Sequence, residues 1–399
     1  MNTVAVIGGS LAGLSAARSL RGQGYEGRLV VVGEEIHRPY DRPPLSKEFL
    51  KGTLPEEDLY LEAEDDELDA EWLLGTKATG LDLRDRSIRL SDGRDLAVDG
   101  VVVATGAAAR HLPGGWGMTG VHVVRTLDDA RALQDDLARG GRLVVVGGGF
   151  VGAEVASTAR ELGLDVTFVV SGPAPLSGAL GPAMAATLAP LHADHGVRVL
   201  SGTGVQGVTG TPASVGVPAR VQAVQLADGR SIPADIVVVG IGASPHTDWL
   251  LGSGVELDDG VRCWSDGTTN IPEVVAVGDC AAWYEPALGR HRRVEHWTGA
   301  NERPATAVAA LLSGGTAQLP PPKPPYFWSE QYGVRIQFAG HAARADSVTI
   351  EDGSEEDRSF VAVYRSAGQP VAVLGVNRAK LFTRWRKQLA AAAVGVGTA

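Results

Sequence analysis

Cysteine is nearly absent: the 399 residues hold two, Cys263 and Cys280, at a separation that forms neither a CxxC pair nor a metal-ligand spacing. Buried thiols are expected for both, and an internal CxxC relay is excluded. A basic surplus is lacking as well, since the formal net charge is −11; general nucleic-acid binding needs a surface that neutralises phosphates. No apolar run reaches the roughly 18 to 20 residues that span a bilayer, and no charged leader precedes the first strand. A soluble, cytoplasmic protein is expected. No repeat of solenoid period is present. His291, His296 and His341 have no ligating partner at helical or hairpin spacing, so they are expected as surface or satisfied core histidines, with no metal. No Ser-His-Asp set can be assembled. The acidic run "EAEDDELDAE" (62–71) reads as a solvated face.

What is present is a long chain with 44% hydrophobic residues, enough for two or three domains and a large ligand site. Its most specific feature is a glycine-broken strand end that occurs twice. The first is "VAVIGGSLAG" (4–13), followed by the helix formers "LSAARSLRGQG" and a glycine stop, which makes strand, turn, helix. Gly8 permits the tight bend, the middle position must be small for backbone N–H groups to approach a pyrophosphate, and Gly13 lets helix and strand pack closely. Ser10 occupies the middle position and weakens the motif without abolishing it. The next strand, "RLVVVGEE", ends in Glu34 and Glu35, where an acid accepts the ribose hydroxyls of an adenosine.

The second site is cleaner. Gly147, Gly149 and Gly152 hold all three glycine positions between "RLVVV" and "AEVASTARELG". The following strand, "LDVTFVV", ends in Val170 and Ser171, with neither the acid that selects NADH nor an arginine for a 2′-phosphate. The choice between NADH and NADPH is left open.

Two apolar strands with marked ends frame this second unit: "GVVVATGAAAR" (100–110) and "NIPEVVAVGDCAA" (270–282). Together with "RPYDRPPLSKEFL" (38–50), "GGGFVGAE", "VVVGIGASP", "VEHWTGANE" and "YFWSEQYGVRIQFAG", they resemble the oxygenase-coupled, FAD-dependent NAD(P)H:ferredoxin reductases, the putidaredoxin- and rubredoxin-reductase-like members of the glutathione reductase superfamily. The likeness runs from residue 1 to about 385.

The resemblance implies an α/β fold with two Rossmann-like domains and a smaller C-terminal α/β domain. An FAD domain would comprise 1–107 and 235–314, an NAD(P)H domain 108–234, and the C-terminal domain 318–399, entered through the Pro-rich "QLPPPKPPY" (318–326), which also reads as a stiff linker from composition. Implied FAD contacts are Gly8, Ser10, Gly13, Glu34, Arg42, Lys47, Thr105, Gly106, Arg125, Gly278, Asp279 and Trp297. Implied NAD(P)H contacts are Gly147, Gly149, Gly152 and Glu154. Lys47, Glu154 and Trp328 are the implied catalytic residues, with Glu330 beside Trp328. A cation near a flavin stabilises its anionic reduced form, and a nearby carboxylate neutralises that cation at rest.

A flavin beside a nicotinamide accepts a hydride that the protein need only align. Without a CxxC, the electrons must leave toward an external acceptor. The resemblance implies a small acidic iron–sulfur ferredoxin serving a P450 or a dioxygenase. Docking it calls for a basic patch on an acidic protein, and "NRAKLFTRWRKQ" offers Arg378, Lys380, Arg384, Arg386 and Lys387, which also read as a solvated amphipathic helix. A redox-regulated flavoprotein of the apoptosis-inducing-factor type, or an NADH oxidase, remains open.

Overall fold

The computed structural model describes all residues except 64–65, 116, 214–217, 316–322 and 396–399. The Pro-rich linker up to residue 322 lies outside the described residues, as do residues 64 and 65 of the acidic run.

The first apolar run becomes β1 (Thr3–Ile7), the glycine turn follows, and α1 (Leu11–Gly22) lays Leu14, Ala16, Ala17 and Leu20 against the sheet before Gly24 turns the chain back in a left-handed conformation (φ 82°). The chain returns as β2 (Arg28–Gly33). β1 pairs in parallel with β2 on one side and with Gly100–Val103 on the other. Ala70–Leu74 and Val274–Ala276 form the two edges, also parallel. Strands buried on both faces read as near-continuous apolar runs, as β1, β2 and Gly100–Val103 do, whereas the edge strand Ala70–Leu74 is only half-buried and carries the exposed Glu71.

The same layout recurs. β3 (Arg142–Val146), α2 (Phe150–Glu161) and β4 (Asp165–Val170) form a second strand–helix–strand unit, in which β3 pairs in parallel with β4 and with β5 (Ile236–Val239). Arg198–Ser201 and Val121–His122 complete the sheet. The expected boundary at 234/235 assigns β5 to the first domain. Its pairing corrects this: "IVVV" is fully buried beside β3, and the chain leaves the second sheet only after Val239. The boundary was misplaced because a buried parallel strand carries no sequence mark of which sheet it joins. A two-stranded antiparallel ribbon, Ala107–Ala109 with Ala243–Pro245, carries both crossings between the units.

After α3 (Trp297–Ser313), residues 326–376 form a five-stranded sheet, antiparallel throughout, that starts with β6 (Tyr326–Gln331) and is covered by α4 (Ala379–Gly395). Phe338 and Tyr364 of this sheet share one apolar core with Phe168, Leu180 and Met184 of the second unit. The acidic run is less solvated than expected: Asp66 pairs with Arg18, Glu62 with Arg38 and Glu71 with Arg28. Both cysteines are buried and unpaired with each other. Among the described residues no group of three or more His, Cys, Asp or Glu could hold a metal ion, and no helix is long and apolar enough to cross a membrane.

The seam between the second unit and the C-terminal sheet carries several polar contacts, one of them centred on Tyr332. Tyr332 occupies a hairpin turn at φ 52°, costly for a side chain of its size. It is held there because its N–H donates to Ser157 Oγ at 2.7 Å, its hydroxyl meets His192 Nδ1 at 3.0 Å and its ring stacks on His195 at 4.1 Å. Burial, with a smaller contribution from His195, pushes His192 down to about 4. An unfolded chain takes up that proton near pH 6.5 and the folded chain only near 4, so the stability contributed by the neutral ring is complete above 6.5 and lost as pH falls through this window. His192→Asn should therefore lose on the order of 2 kcal/mol less stability than the parent between about pH 7 and pH 4.5. Denaturation at the two pH values measures this, and parallel losses would remove His192 as the cause.

Candidate functional site

The carboxyl ends of the first sheet open into a cleft of about 980 Å³ that extends to α2 and β6. Gly8 bends at φ 127°, and a Cβ there would lie 2.0 Å from the Ala104 carbonyl oxygen. A Cβ on Gly13 would lie 1.8 Å from the Gly8 oxygen. Only glycine permits either approach. Ser10 is the N-cap of α1 but makes no side-chain cap, and the first turn contains no acid. The positive end of the helix thus faces the cleft with backbone N–H groups unpaired by side chains, the environment that a pyrophosphate requires.

The wall beside this helix is a linked set of charges. Arg42 donates to Glu35 at 2.5 Å, to Ser10 Oγ at 3.3 Å and to the Arg125 carbonyl. Arg125 in turn pairs with Asp279 at 2.7 Å. Tyr40 donates to Glu35 at 2.5 Å and accepts from the Leu127 N–H at 2.9 Å, and burial raises its hydroxyl above the usual range. Glu34 is exposed at the rim, where Lys77 reaches it at 3.3 Å. Glu35 was missed as a site residue: two adjacent acids at a strand end look alike in sequence, and only the fold turns one toward Arg42.

At the far end Glu154, on α2, is 5% exposed. It accepts from Lys47 Nζ at 2.8 Å, Ser46 Oγ at 2.5 Å and Ser329 Oγ at 2.7 Å. Trp297 donates to Asp41 at 2.7 Å and meets Trp328 edge-on at 5.9 Å, and Tyr326 stacks on Trp328 at 6.0 Å. Burial raises the Asp41 carboxyl, with Trp297 and then Lys47 opposing it. Glu330 pairs with Arg335 at 3.5 Å. His296 departs from the expected surface or satisfied-core histidine: it lines the cleft, its Nδ1 is buried without a hydrogen-bond partner, and burial holds it down at about 4.

Of the residues expected at the sites, Gly8, Ser10, Glu34, Arg42, Lys47, Thr105, Gly106, Arg125, Glu154, Asp279, Trp297 and Trp328 line this one cleft. Gly13, Gly278, Gly147, Gly149 and Gly152 do not. Gly13 and Gly278 sit behind it, with a Cβ on Gly278 reaching 2.8 Å from Ala12. The second glycine turn repeats the geometry of the first. A Cβ on Gly147 would lie 2.1 Å from the Gly240 oxygen, and one on Gly152 would lie 2.3 Å from the Gly147 oxygen. Gly149 caps α2, whose first turn also lacks an acid. Phe150, Val151 and Glu154 of that helix line the cleft, so the second turn adjoins it. Val170 is buried against this turn, where a Cβ on Gly148 would meet its Cγ1 at 2.5 Å. The chain's residues fit one extended dinucleotide in the cleft and a second beside α2.

Two family models match the chain: pyridine nucleotide-disulphide oxidoreductase over residues 2–312 and reductase C-terminal over 326–396. The benzene 1,2-dioxygenase system ferredoxin–NAD(+) reductase subunit of Pseudomonas putida is 40% identical over 85% of this chain and 80% of its own. The biphenyl dioxygenase system ferredoxin–NAD(+) reductase component of Paraburkholderia xenovorans is 36% identical over 96% and 92%. Among solved structures, the reductase in a covalent putidaredoxin reductase–putidaredoxin complex superposes with a TM-score of 0.91 at 32% identity, covering 98% of this chain and 93% of that one.

Arg42 joins α1, Glu35 and the Arg125–Asp279 pair, so Arg42→Met should weaken FAD binding at least about tenfold, the loss expected for a charge-assisted set of hydrogen bonds. Fluorescence titration of the apoprotein checks this, and unchanged affinity would remove Arg42 from the site. At the second turn, Val170→Glu should shift the kcat/KM ratio toward NADH and away from NADPH, because it supplies a ribose acceptor that the parent lacks. A parent that already rejects NADPH strongly would show that selection lies elsewhere.

Proposed function

Since the chain belongs to the pyridine nucleotide-disulphide oxidoreductases, and within them to the ferredoxin reductases of oxygenase systems, we propose that it oxidises NADH or NADPH and passes the electrons singly to a small acidic iron–sulfur ferredoxin. The ferredoxin would serve a P450 or a dioxygenase. Bound FAD supplies the chemistry that turns the electron pair of a hydride into two single transfers. The observation that carries this reading is the composition of the cleft: the first glycine turn lines it together with Lys47, Glu154, Trp297 and Trp328, the second adjoins it through Phe150, Val151 and Glu154 of α2, and neither cysteine lines it.

In this reading α1, Arg42, Glu34, Thr105, Gly106, Arg125 and Asp279 hold FAD along the first sheet, and Gly147, Gly149 and Gly152 bring the nicotinamide nucleotide to α2. Lys47 would supply a positive charge on the cleft wall that favours a negatively charged form of the bound cofactor, and Glu154, paired with it, would offset that charge. The aromatic wall of Trp297 and Trp328 excludes water. The FAD domain would be formed by the two flanking segments around an inserted NAD(P)H domain, with the C-terminal domain closing the cleft, in a cytoplasmic protein.

Docking falls to α4 in the same reading. Lys380, Arg384 and Lys387 are exposed there, as is Arg378 just before the helix, and the Arg386 guanidinium lies 4.1 Å from the Tyr326 ring, which stacks on Trp328. Arg378 is partly engaged by Asp352 at 3.8 Å. Rapid reduction of a [2Fe–2S] ferredoxin by NADH, with little oxygen consumption in its absence, tests the function. Neutralising Lys380, Arg384 and Lys387 should slow ferredoxin reduction and flatten its decline with salt, while flavin reduction by NADH keeps the parental rate, because exposed charges act over about 8 Å at physiological ionic strength. Equal rates for parent and variant across a salt series would move docking off this helix.

A further inference from the structure

The Glu154 carboxylate is reached by three donors from two parts of the chain. Ser46 and Lys47 approach Oε2 from the loop of the first unit, and Ser329 approaches Oε1 from the C-terminal sheet. Ser329 is fully buried, and its own Oγ accepts from Gln331 Nε2 at 3.1 Å, with Gln331 2% exposed. Neither Ser329 nor Gln331 lines the cleft. The alternation of β6 turns both inward, whereas Trp328 and Glu330 lie on its other face. Ser46 is fixed in turn by its carbonyl, which accepts from Thr158 Oγ1 of α2 at 2.8 Å.

A carboxylate divides its charge among its donors. Each hydroxyl that binds Glu154 draws charge away from the oxygen shared with Lys47, and in a buried site each such bond has a large effect. We infer that Ser329, backed by Gln331, is a positioning residue of the electron-transfer site: it fixes the Glu154 carboxylate from the C-terminal sheet and thereby sets how much of the Lys47 charge is felt in the cleft. The C-terminal sheet thus tunes the cofactor as well as covering it. This rests on the ferredoxin-reductase reading.

The test uses the full-length FAD-loaded protein with Ser329→Ala, Gln331→Met, Glu154→Ala and the double variant Ser329→Ala/Glu154→Ala. Without the Ser329 donor the carboxylate binds Lys47 more tightly, and less positive potential remains to stabilise an anionic reduced cofactor. The midpoint potential of Ser329→Ala should therefore move to more negative values. The limiting rate of flavin reduction by NADH in stopped flow should fall about five- to tenfold, the equivalent of one lost buried hydrogen bond, with little change in the apparent Kd for NADH. Gln331→Met should move both in the same direction by less. In the Glu154→Ala background the Ser329 substitution should have no further effect on either.

An unchanged potential in both Ser329→Ala and Gln331→Met, or an equal Ser329 effect with and without Glu154, overturns the inference. A Ser329→Ala variant that failed to retain FAD while Gln331→Met kept the parental potential would also overturn it, as the serine would then be only a packing element. Failure of the parent to bind FAD, or to be reduced by NADH, strikes instead at the proposed function.

Discussion

The buried carboxylate of Glu154 constrains the rest of the molecule because three separately built parts must meet it together. The loop that carries Ser46 and Lys47 belongs to the first unit, Glu154 to the helix of the second, and Ser329 to the last sheet. A buried charge whose partner is displaced costs several kcal/mol. The relative placement of the three parts is therefore restrained by a polar contact that tolerates little error, whereas apolar seams alone admit sliding. The shared core of Phe168, Phe338 and Tyr364 supplies the adhesion, and the carboxylate supplies the alignment.

A second constraint is backbone proximity at the glycine turns. In each unit a carbonyl from a neighbouring strand lies where a side chain would otherwise begin, at Ala104 for Gly8 and at Gly240 for Gly147. The helix start is thereby pinned against two strands, and its unpaired N–H groups point outward from the sheet edge. The polar lining follows from this geometry. Arg42 and Asp279 follow strands of the first sheet at its carboxyl end, where crossover connections leave a crevice, and Arg125 reaches them from the segment after Val121–His122 of the second sheet.

Much of this was legible in the sequence because it depends on local steric rules. Strand, glycine turn and helix are each marked by residues a few positions apart, and both turns fold as their spacing indicates. Lys47 and Glu154 were matched through family likeness and do meet. What stayed hidden depends on partners far along the chain. Glu35 could not be told from Glu34, Ser329 looked like one polar residue in an alternating strand, and the strand at Ile236–Val239 gave no sign of which sheet would receive it. His296 carried no warning that one ring nitrogen would be buried without a partner, because burial is a property of the assembled fold.

The two crossings between the units run through one antiparallel ribbon, Ala107–Ala109 with Ala243–Pro245. All strands of the second sheet lie between these crossings, so that sheet can be completed while its chain is still local. The first sheet cannot: its edge strand Val274–Ala276 pairs with Gly100–Val103 only after the whole intervening unit has been made. Pairings across such long separations form late and slowly. During synthesis, therefore, the inner unit can fold first, while the open edge at Gly100–Val103 waits for its partner strand. The ribbon that joins the units in the finished molecule keeps that edge within reach.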